Sequence, residues 1–526
     1  METAGKFAGT PSRAISAMLV SAAMLFTVTA CTASKSPELV DRNPDAGVSK
    51  YYQQTLAWME CGEDVFCTTV SAPLNWDEPE AATITLALAR RPATGTKQGS
   101  LLVNPGGPGE SGFALVSDSS DAVDATLQKS FDIVGFDPRG VGRSAAVTCY
   151  SPKEKDAYLY DITPGVLGSD EWIAAKGASA RAYAQACATN TGPLIAHVDS
   201  VSAARDLDLM RAALGDKKLN YLGYSYGTFL GTTYAGLFPH RVGRLVFDGI
   251  DNPWSSAVSV DESGNDTSGK DSGSDDPFEL ALRAFMVSCL AGESKAVDSA
   301  HCAFSGTADG ALAAVATMLT ATSASPIRNA DGRMLGGATL VSAVTNELYS
   351  LQSWPALNKM FLEVAAGNAT TAFESADAAN GRNSDGSYLS NSSDAFRAIN
   401  CLDGTSNSDA SQMKQQAAEI VKASPIFGPY QTYGSIECAS WSVSPKSLMD
   451  PVTAQGADPI LLIGTTNDPA TPYADAQALA EQLANGHLVT FTGEGHTAYN
   501  SGSSCVDRAV DRYFLSGVVP QTDPQC

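Results

Sequence analysis

Apolar residues recur along the chain in two spacings, and the alternation of these spacings predicts the architecture. Short apolar runs bounded by glycine, proline or charged residues are typical of buried strands. Such runs lie at 82–88, 100–103, 131–137, 220–222, 245–248, 459–464 and 488–491. Between Ser200 and Leu214 the apolar residues instead follow helical spacing. Strands that alternate with helices predict an α/β fold, with a mostly parallel sheet and helices on both faces.

The pattern changes after residue 252. Five segments have helical apolar spacing, with no strand pattern between them: 278–290, 311–319, 340–351, 356–366 and 409–423. The chain of 526 residues also exceeds what one hydrophobic core usually holds. We therefore predict a helical insertion at 253–445, which the family resemblance described below implies to be a cap domain. It would be inserted between a first part of the core at 51–252 and a C-terminal part at 446–526.

The first thirty residues have the pattern of an export signal. Lys6 and Arg13 precede an apolar segment, Ala14 to Ala30, which is short for a membrane span and ends in a small residue. Cys31 follows directly, as in the lipobox of bacterial lipoproteins, where several acyl chains anchor the protein to the membrane. We predict a signal peptide at 1–30, a lipidated Cys31 and a polar tether at 31–50. The alternative is an ordinary cleaved signal peptide, with export but no anchor.

The number of cysteines and the net charge indicate the compartment in which the protein works and the partners it can bind. Ten of the eleven cysteines remain without Cys31, and an even number in an exported protein predicts disulfides. Pairing of sequence neighbours is one possible connectivity: Cys61–Cys67, Cys149–Cys187, Cys289–Cys302, Cys401–Cys438 and Cys505–Cys526. The net charge of −23 argues against nucleic acid as a partner. Cys-x-x-Cys and paired-histidine spacings do not occur, so we predict no metal and no cofactor. We also expect a monomer.

A tight turn between a strand and a helix carries the first candidate chemistry. The stretch from Gly223 to Gly227 reads G-Y-S-Y-G. Glycines two residues either side of Ser225 let the chain turn sharply without a steric clash, and the following helix directs N–H groups toward the serine. This pattern indicates a nucleophilic serine. By itself, the pentapeptide also fits a plain strand-to-helix turn.

A second loop, rich in glycine and proline, precedes that turn. Asn104 to Gly109 reads N-P-G-G-P-G directly after a short buried strand. Glycine lets a backbone approach a ligand closely, while proline keeps the loop stiff. Ahead of a serine turn, such a loop is typical of one that donates an N–H to an oxyanion.

A nucleophilic serine needs a base, and the base needs an orienting carboxylate. The five histidines are His197, His240, His301, His487 and His496. Only His496 follows the last predicted strand, in the loop G-E-G-H. Asp468 follows the strand before it, which fits the chain order of serine, acid and histidine. Asp248 also ends a strand after the serine and is the rival candidate for the acid.

Together these motifs identify a resemblance. The chain resembles the secreted bacterial tripeptidyl aminopeptidases and related prolyl-aminopeptidase-type α/β-hydrolases. The resemblance covers nearly all of the chain after the signal segment. It rests on the motifs N-P-G-G-P-G-x-S-G (104–112), D-P-R-G-x-G-x-S (137–144), G-Y-S-Y-G-T (223–228), A-I-x-C-x-D (398–403), D-P-x-T-P-Y (468–473) and G-E-G-H (493–496).

The resemblance implies an α/β-hydrolase fold with a helical cap, and a serine peptidase that releases short peptides from free N-termini. It implies Ser225 as nucleophile, His496 as general base and acid, and Asp468 as its orienting partner. Gly107 and Tyr226 would supply the oxyanion N–H groups.

An exopeptidase of this kind must also hold the substrate ammonium group. Asp403 and Glu110 are the candidate carboxylates, although Glu110 departs from the small residue expected in that loop. Two other interpretations stay open: a carboxylesterase of the cell envelope, and a surface lipoprotein that binds ligands without catalysis.

Overall fold

A twisted sheet built around parallel strands organises the part of the chain that the structure describes. The computed structural model describes residues 47–119, 121–254, 276–292, 302–404, 409–446 and 450–526. The strands are β1 (Met59–Gly62), β2 (Val65–Pro73), β3 (Thr83–Arg91), β4 (Gly99–Asn104), β5 (Phe131–Phe136), β6 (Leu219–Tyr224), β7 (Val242–Asp248), β8 (Ile327–Arg328), β9 (Met334–Leu335), β10 (Ile460–Asn467) and β11 (Gly486–Glu494).

Nine of these strands form one sheet, in the order β1-β2-β3-β5-β4-β6-β7-β10-β11. The strands from β5 to β11 in this order pair in parallel, whereas β1, β2 and β3 add an antiparallel edge. The α/β class predicted from the sequence is therefore confirmed. Because parallel strands share one direction, the loops after β4, β6, β7, β10 and β11 leave the same edge of the sheet.

The helices, in chain order, are α1 (Ser49–Tyr52), α2 (Gly112–Asp118), α3 (Ala125–Gln128), α4 (Pro152–Tyr160), α5 (Asp170–Thr191), α6 (Ser200–Ala213), α7 (Tyr226–Leu237), α8 (Pro277–Ala291), α9 (Ala308–Ala324), α10 (Gly337–Leu348), α11 (Trp354–Ala365), α12 (Thr370–Asn380), α13 (Ser392–Asp403), α14 (Ala410–Ala423), α15 (Gly428–Gln431), α16 (Ser435–Ala439), α17 (Tyr473–Gln482) and α18 (Ser504–Ser516). Short 3₁₀ turns lie at Gly192–Ala196, Pro239–Arg241 and Leu351–Ser353. Among the described residues, none of these helices combines the length and the apolar character needed to cross a membrane.

Alternating side chains of the central strands fill two cores, one on each face of the sheet. Tyr221 and Phe247 pack with α6 and α7 on one face. Leu222 and Val246 point the other way and pack against α2 and α18. Successive side chains of a strand face opposite sides, so a strand covered on both faces reads as a continuous apolar run.

Helices α8 to α16 lie between β7 and β10. Helices α8 to α12 pack around an apolar core of their own, which includes Phe285, Val344 and Phe361, whereas α13 packs on the core beside the sheet. Two features of this region differ from the prediction. The small antiparallel hairpin β8–β9 interrupts the helices. In addition, α4 and α5 pack on it from an earlier part of the chain: Tyr160 joins its core, and Arg382 forms a bidentate ion pair with Asp156. The limits 253 and 445 remain a prediction.

Of the predicted N-terminal segments, only the end of the tether falls within the described residues. The predicted signal peptide and Cys31 lie outside the described residues. The tether predicted at 31–50 extends too far, because Ser49 and Lys50 already belong to α1 and Val48 is buried against the core. An apolar side chain that can be buried joins the folded body rather than a linker.

Five disulfides cross-link the described residues. They join Cys61 to Cys67, Cys149 to Cys187, Cys289 to Cys302, Cys401 to Cys438 and Cys505 to Cys526. Each pair consists of sequence neighbours among the cysteines, as in the connectivity considered above.

Candidate active site

Ser225 occupies the sharp turn between β6 and α7. Its backbone has φ 54° and ψ −128°, a left-handed conformation that a non-glycine residue adopts only when its surroundings impose it. The flanking glycines allow this turn. A Cβ on Gly223 would lie 2.4 Å from the carbonyl oxygen of Gly227, and one on Gly227 would lie 2.9 Å from that of Asn104. The turn therefore holds the serine at the end of the sheet and at the N-terminus of α7.

His496 and Asp468 lie together at the same edge of the sheet. Nδ1 of His496 is 2.9 Å from each carboxylate oxygen of Asp468. Asp468 is buried, and one of its oxygens also accepts the backbone N–H groups of Ala470 and Thr471 at 2.9 Å each. With Nδ1–H donated to the carboxylate, Nε2 remains as the base. Nε2 is buried and has no hydrogen-bond partner among the described residues.

A cavity of about 530 Å³ brings these groups to one place. Ser225, His496, Gly107 and Glu110 all line it. The candidate nucleophile, the candidate base and one candidate ammonium-binding carboxylate thus share a single concave site, as expected for a pocket that binds a small substrate.

Asp248, the rival acid, has a different role. Its carboxylate accepts the backbone N–H groups of Ala498 (3.0 Å) and Tyr499 (2.8 Å), and its own carbonyl oxygen accepts the N–H of Ser225 at 2.9 Å. Burial raises its pKa to about 6, against the lowering effect of the two N–H donors. Asp248 therefore fixes the loop after His496, while Asp468 contacts the imidazole.

The glycine-rich loop after β4 runs directly against the serine turn. A Cβ on Gly106 would lie 2.5 Å from the carbonyl oxygen of Tyr224 and 3.0 Å from the nitrogen of Tyr226. The N–H of Gly106 is donated to the side chain of Asn104 at 2.9 Å, and the two prolines of the loop have no N–H. Gly107 is exposed to the cavity, and Tyr226 is the first residue of α7, where backbone N–H groups lack helical partners. Gly107 thus shares the cavity with Ser225, and Tyr226 directly follows Ser225 in the chain.

The two candidate ammonium-binding carboxylates differ in their position relative to the cavity. Glu110 lines the cavity, and partial burial raises its pKa, although a hydrogen bond with the Ser392 hydroxyl opposes this. Asp403 is not among the residues that line the cavity. Its oxygens accept the backbone N–H of Ser200 at 2.9 Å and the Ser200 hydroxyl at 2.6 Å, and burial raises its pKa to about 7. The start of α6 therefore holds the carboxylate of Asp403, and the structure does not bring it to the cavity wall beside Glu110.

The opposite wall of the cavity comes from the helical region and was not predicted from the sequence. Helices α10, α12 and α13 and the residue after α10 supply Ser342, Thr345, Asn346, Tyr349, Ala379, Asn380, Ser392, Ser393, Phe396 and Arg397. The available signal was the spacing of Ser342, Thr345, Asn346 and Tyr349, which puts them on one face of a helix. This wall is largely polar apart from the partly exposed rings of Tyr349 and Phe396.

The strained serine, the aspartate-bound histidine and the N-terminus of α7 form an arrangement for acyl transfer. Together with the parallel sheet, they define the molecule as an α/β-hydrolase of the serine hydrolase class.

Comparison with known proteins gives the family. Residues 99–266 match the family model described as the alpha/beta hydrolase fold, and residues 424–526 match the model described as TAP-like protein. The chain is 34% identical to "Serine protease Hip1" of Mycobacterium tuberculosis over 480 residues, which cover 88% of this chain and 87% of the relative.

Two other relatives carry different names. Identity is 36% over 472 residues to "Carboxylesterase B" of Mycobacterium tuberculosis, covering 88% of this chain and 86% of the relative. The chain is 30% identical to "Tripeptidyl aminopeptidase" of Streptomyces lividans over 488 residues, which cover 89% of this chain and 86% of the relative. The chain belongs to the tripeptidyl aminopeptidase-like family of α/β-hydrolases. The family resemblance, the fold and the enzyme class predicted from the sequence are confirmed.

Proposed function

We propose that the protein is an aminopeptidase that releases short peptides, tripeptides in the first instance, from free N-termini. One observation carries the proposal: Ser225 shares a cavity of about 530 Å³ with the carboxylate of Glu110. A carboxylate facing the acyl part of the substrate would pair with an α-ammonium group. The cavity volume lies within the range of about 300–1,000 Å³ typical of small-ligand sites, which suits a short peptide better than a long chain.

The two sides of the scissile bond can be assigned from the cavities. His496 also lines a second cavity of about 340 Å³, together with Pro105, Tyr224 and Asn500, whereas Ser225 lines only the first. The histidine must protonate the leaving amine, so we assign the second cavity to the departing chain. The acyl part would occupy the first cavity, between Glu110 and Ser225.

In the proposed reaction, Ser225 Oγ attacks the peptide carbonyl and His496 Nε2 takes its proton. The N–H groups of Gly107 and Tyr226 would stabilise the oxyanion. His496 then gives the proton to the leaving amine, and water hydrolyses the acyl-enzyme by the same route. Asp468 holds the imidazole in the required tautomer and stabilises its protonated form.

Three substrates test the proposal: a tripeptide nitroanilide with a free N-terminus, its N-acetylated twin, and nitrophenyl acetate. We expect cleavage of the first and little cleavage of the second. Glu110→Gln should raise KM for the free tripeptide about 10-fold or more, because an ion pair in a partly enclosed site is lost, and should have little effect on the acetate ester. Asp403→Asn is the matched control, with an unchanged KM for the tripeptide. Equal cleavage of both peptides would contradict the aminopeptidase.

A carboxylesterase is the second candidate, favoured by the 36% identity to the relative named "Carboxylesterase B". Esters and amides are cleaved by the same catalytic groups, so the site alone is compatible with both. Hydrolysis of the ester without any cleavage of the free tripeptide would favour this candidate and leave Glu110 without a role in binding an amine.

We also propose that the protein works outside the cytoplasm, as a monomer held to the membrane through lipidated Cys31. The N-terminal sequence pattern and the five disulfides support this location, because disulfides persist in oxidising compartments. Cys31→Ala should move the protein from the membrane fraction to the medium. An unchanged distribution would contradict the anchor, and light scattering would test the monomer.

A further inference from the structure

Helix α10 has one polar face toward the cavity and one apolar face toward the helical core. Ser342, Thr345 and Asn346 line the cavity. Leu340 and Val344, on the other side of the helix, are fully buried in the apolar core of the helical region. Residues three and four apart share a helix face, so a single rigid element separates the substrate from that core.

The end of the same helix contacts the histidine. Tyr349 is the residue that follows α10, and its carbonyl oxygen accepts the backbone N–H of His496 at 2.9 Å. Its ring meets the imidazole edge to face, with centroids 5.4 Å apart and planes at 83°. The ring of Phe278 packs against it at 5.7 Å. Tyr349 also lines the cavity, next to Asn346.

The loop around His496 has an unusual backbone that needs such support. Gly495 has φ 101° and Thr497 has φ 68°. Asp248 and Asp468 fix this loop from the sheet side, through Ala498, Tyr499 and the imidazole itself. Among the described residues, Tyr349 provides the backbone hydrogen bond to His496 from the helical side.

The polarity of this contact also suits the chemistry. The last carbonyl groups of a helix lack helical partners, and the helix dipole places negative charge at that end. The imidazole becomes positive when it takes the serine proton. The end of α10 is therefore oriented to favour the charge that develops during acyl transfer.

We propose that α10 couples occupancy of the cavity to the position of the imidazole, with Tyr349 as the positioning residue at the junction. A peptide that contacts Ser342, Thr345 and Asn346 holds α10 in place, and α10 holds His496. The part of this inference that concerns peptides rests on the proposed aminopeptidase function. The part that concerns Tyr349 and His496 holds for any acyl substrate.

The test measures kcat and KM separately for the tripeptide nitroanilide and for nitrophenyl acetate. Tyr349→Ala removes the ring that packs on the imidazole and keeps the backbone carbonyl that accepts the N–H of His496. It should lower kcat on both substrates by up to about 100-fold, the cost of a small displacement of a catalytic group. Tyr349→Phe keeps the ring and should restore kcat. Leu351→Ala is the matched control, because this partly exposed side chain lies in the next turn and does not line the cavity.

The outcomes separate this inference from the proposed function. If Tyr349→Ala raises KM for the peptide but leaves kcat on both substrates at the wild-type value, Tyr349 is only part of the cavity wall and the inference is overturned. If the wild-type protein does not cleave the peptide, the aminopeptidase proposal fails, yet kcat for nitrophenyl acetate still tests Tyr349. Tyr349→Leu serves as the second variant should the alanine variant not fold.

Discussion

The two walls of the catalytic cavity are built from different parts of the chain. On the sheet side, Ser225, Asp468, His496 and Gly107 lie on loops that follow four strands of one parallel sheet. On the helical side, the wall consists of side chains from α10, α12 and α13. Helices α10 and α12 pack around a separate apolar core, whereas α13 packs on the core beside the sheet. The sheet side carries the groups to which we assign the making and breaking of bonds. The helical side carries the surface that a substrate must fit.

This difference predicts which kinetic constant a substitution changes on each side of the cavity. Changes on the sheet side should lower kcat for every substrate, since the same groups serve an ester and an amide. Changes on the helical side should act on KM and mainly for peptides. Tyr349 is the exception that links the two walls, because it lines the cavity and also contacts His496.

The largest effect should come from Ser225→Ala. Loss of the nucleophile should reduce kcat by about 10⁶-fold on both peptide and ester, as for the serine of other triads. The smaller side chain needs no new space, so the thermal midpoint should stay near that of the wild type. Residual turnover above a few per cent of wild type would assign the chemistry to another residue.

Asp468→Asn should have the next largest effect. An asparagine keeps the shape but favours the wrong imidazole tautomer, which costs about 10⁴-fold in kcat in a comparable triad. Asp248→Asn is the matched comparison at the neighbouring strand end. Because Asp248 binds the backbone of Ala498 and Tyr499 and not the imidazole, its variant should lose more thermal stability and less activity. Equal losses of kcat in the two variants would contradict this division.

The sheet side could be predicted from the sequence because strands leave clear patterns. Apolar runs located β4, β6, β10 and β11, and the parallel order places the residues after them at one edge. Ser225, Asp468 and His496 could therefore be placed together although 271 residues separate the first from the last.

The helical side could not be predicted in the same way. A polar residue on a helix can face either solvent or a cavity, and only packing decides between them, as for Thr345 and Asn346. Asp403 shows the same limit. Its partner Ser200 lies 203 residues away in sequence. The hydrogen bonds that keep the Asp403 carboxylate away from the cavity wall therefore leave no pattern in the sequence around Asp403. The packing of α4 on the helical region likewise depends on distant ion pairs, such as Asp156 with Arg382.

On the helical wall, Phe396→Ala should have a moderate effect confined to peptides. The ring lines the cavity and is 45% exposed. Removing apolar surface that a peptide would cover should raise KM for the tripeptide about 10-fold. Steady-state kinetics on nitrophenyl acetate, which is too small to reach across the cavity, provide the comparison. A fall in kcat for the acetate ester would show that this wall also acts on the chemistry.

The smallest expected effect concerns the junction between the two sides, where Asp403 at the end of α13 binds Ser200 at the start of α6. Burial raises the pKa of Asp403 to about 7, whereas an unfolded aspartate titrates near about 3.9. Between these values the folded protein binds the extra proton, so the free energy of unfolding contributed by this group falls as pH rises through the window.

Asp403→Asn cannot lose a proton and should remove that part of the pH dependence. Urea unfolding at pH 5 and at pH 8 measures it: the wild type should lose more stability between the two values than the variant does. Asp248, with a pKa raised to about 6, contributes a slope of the same sign in both proteins and therefore cancels in the difference. An equal loss of stability in the two proteins would mean that the carboxylate of Asp403 is already ionised at pH 5. The contact between α13 and α6 would then be charged from pH 5 to pH 8.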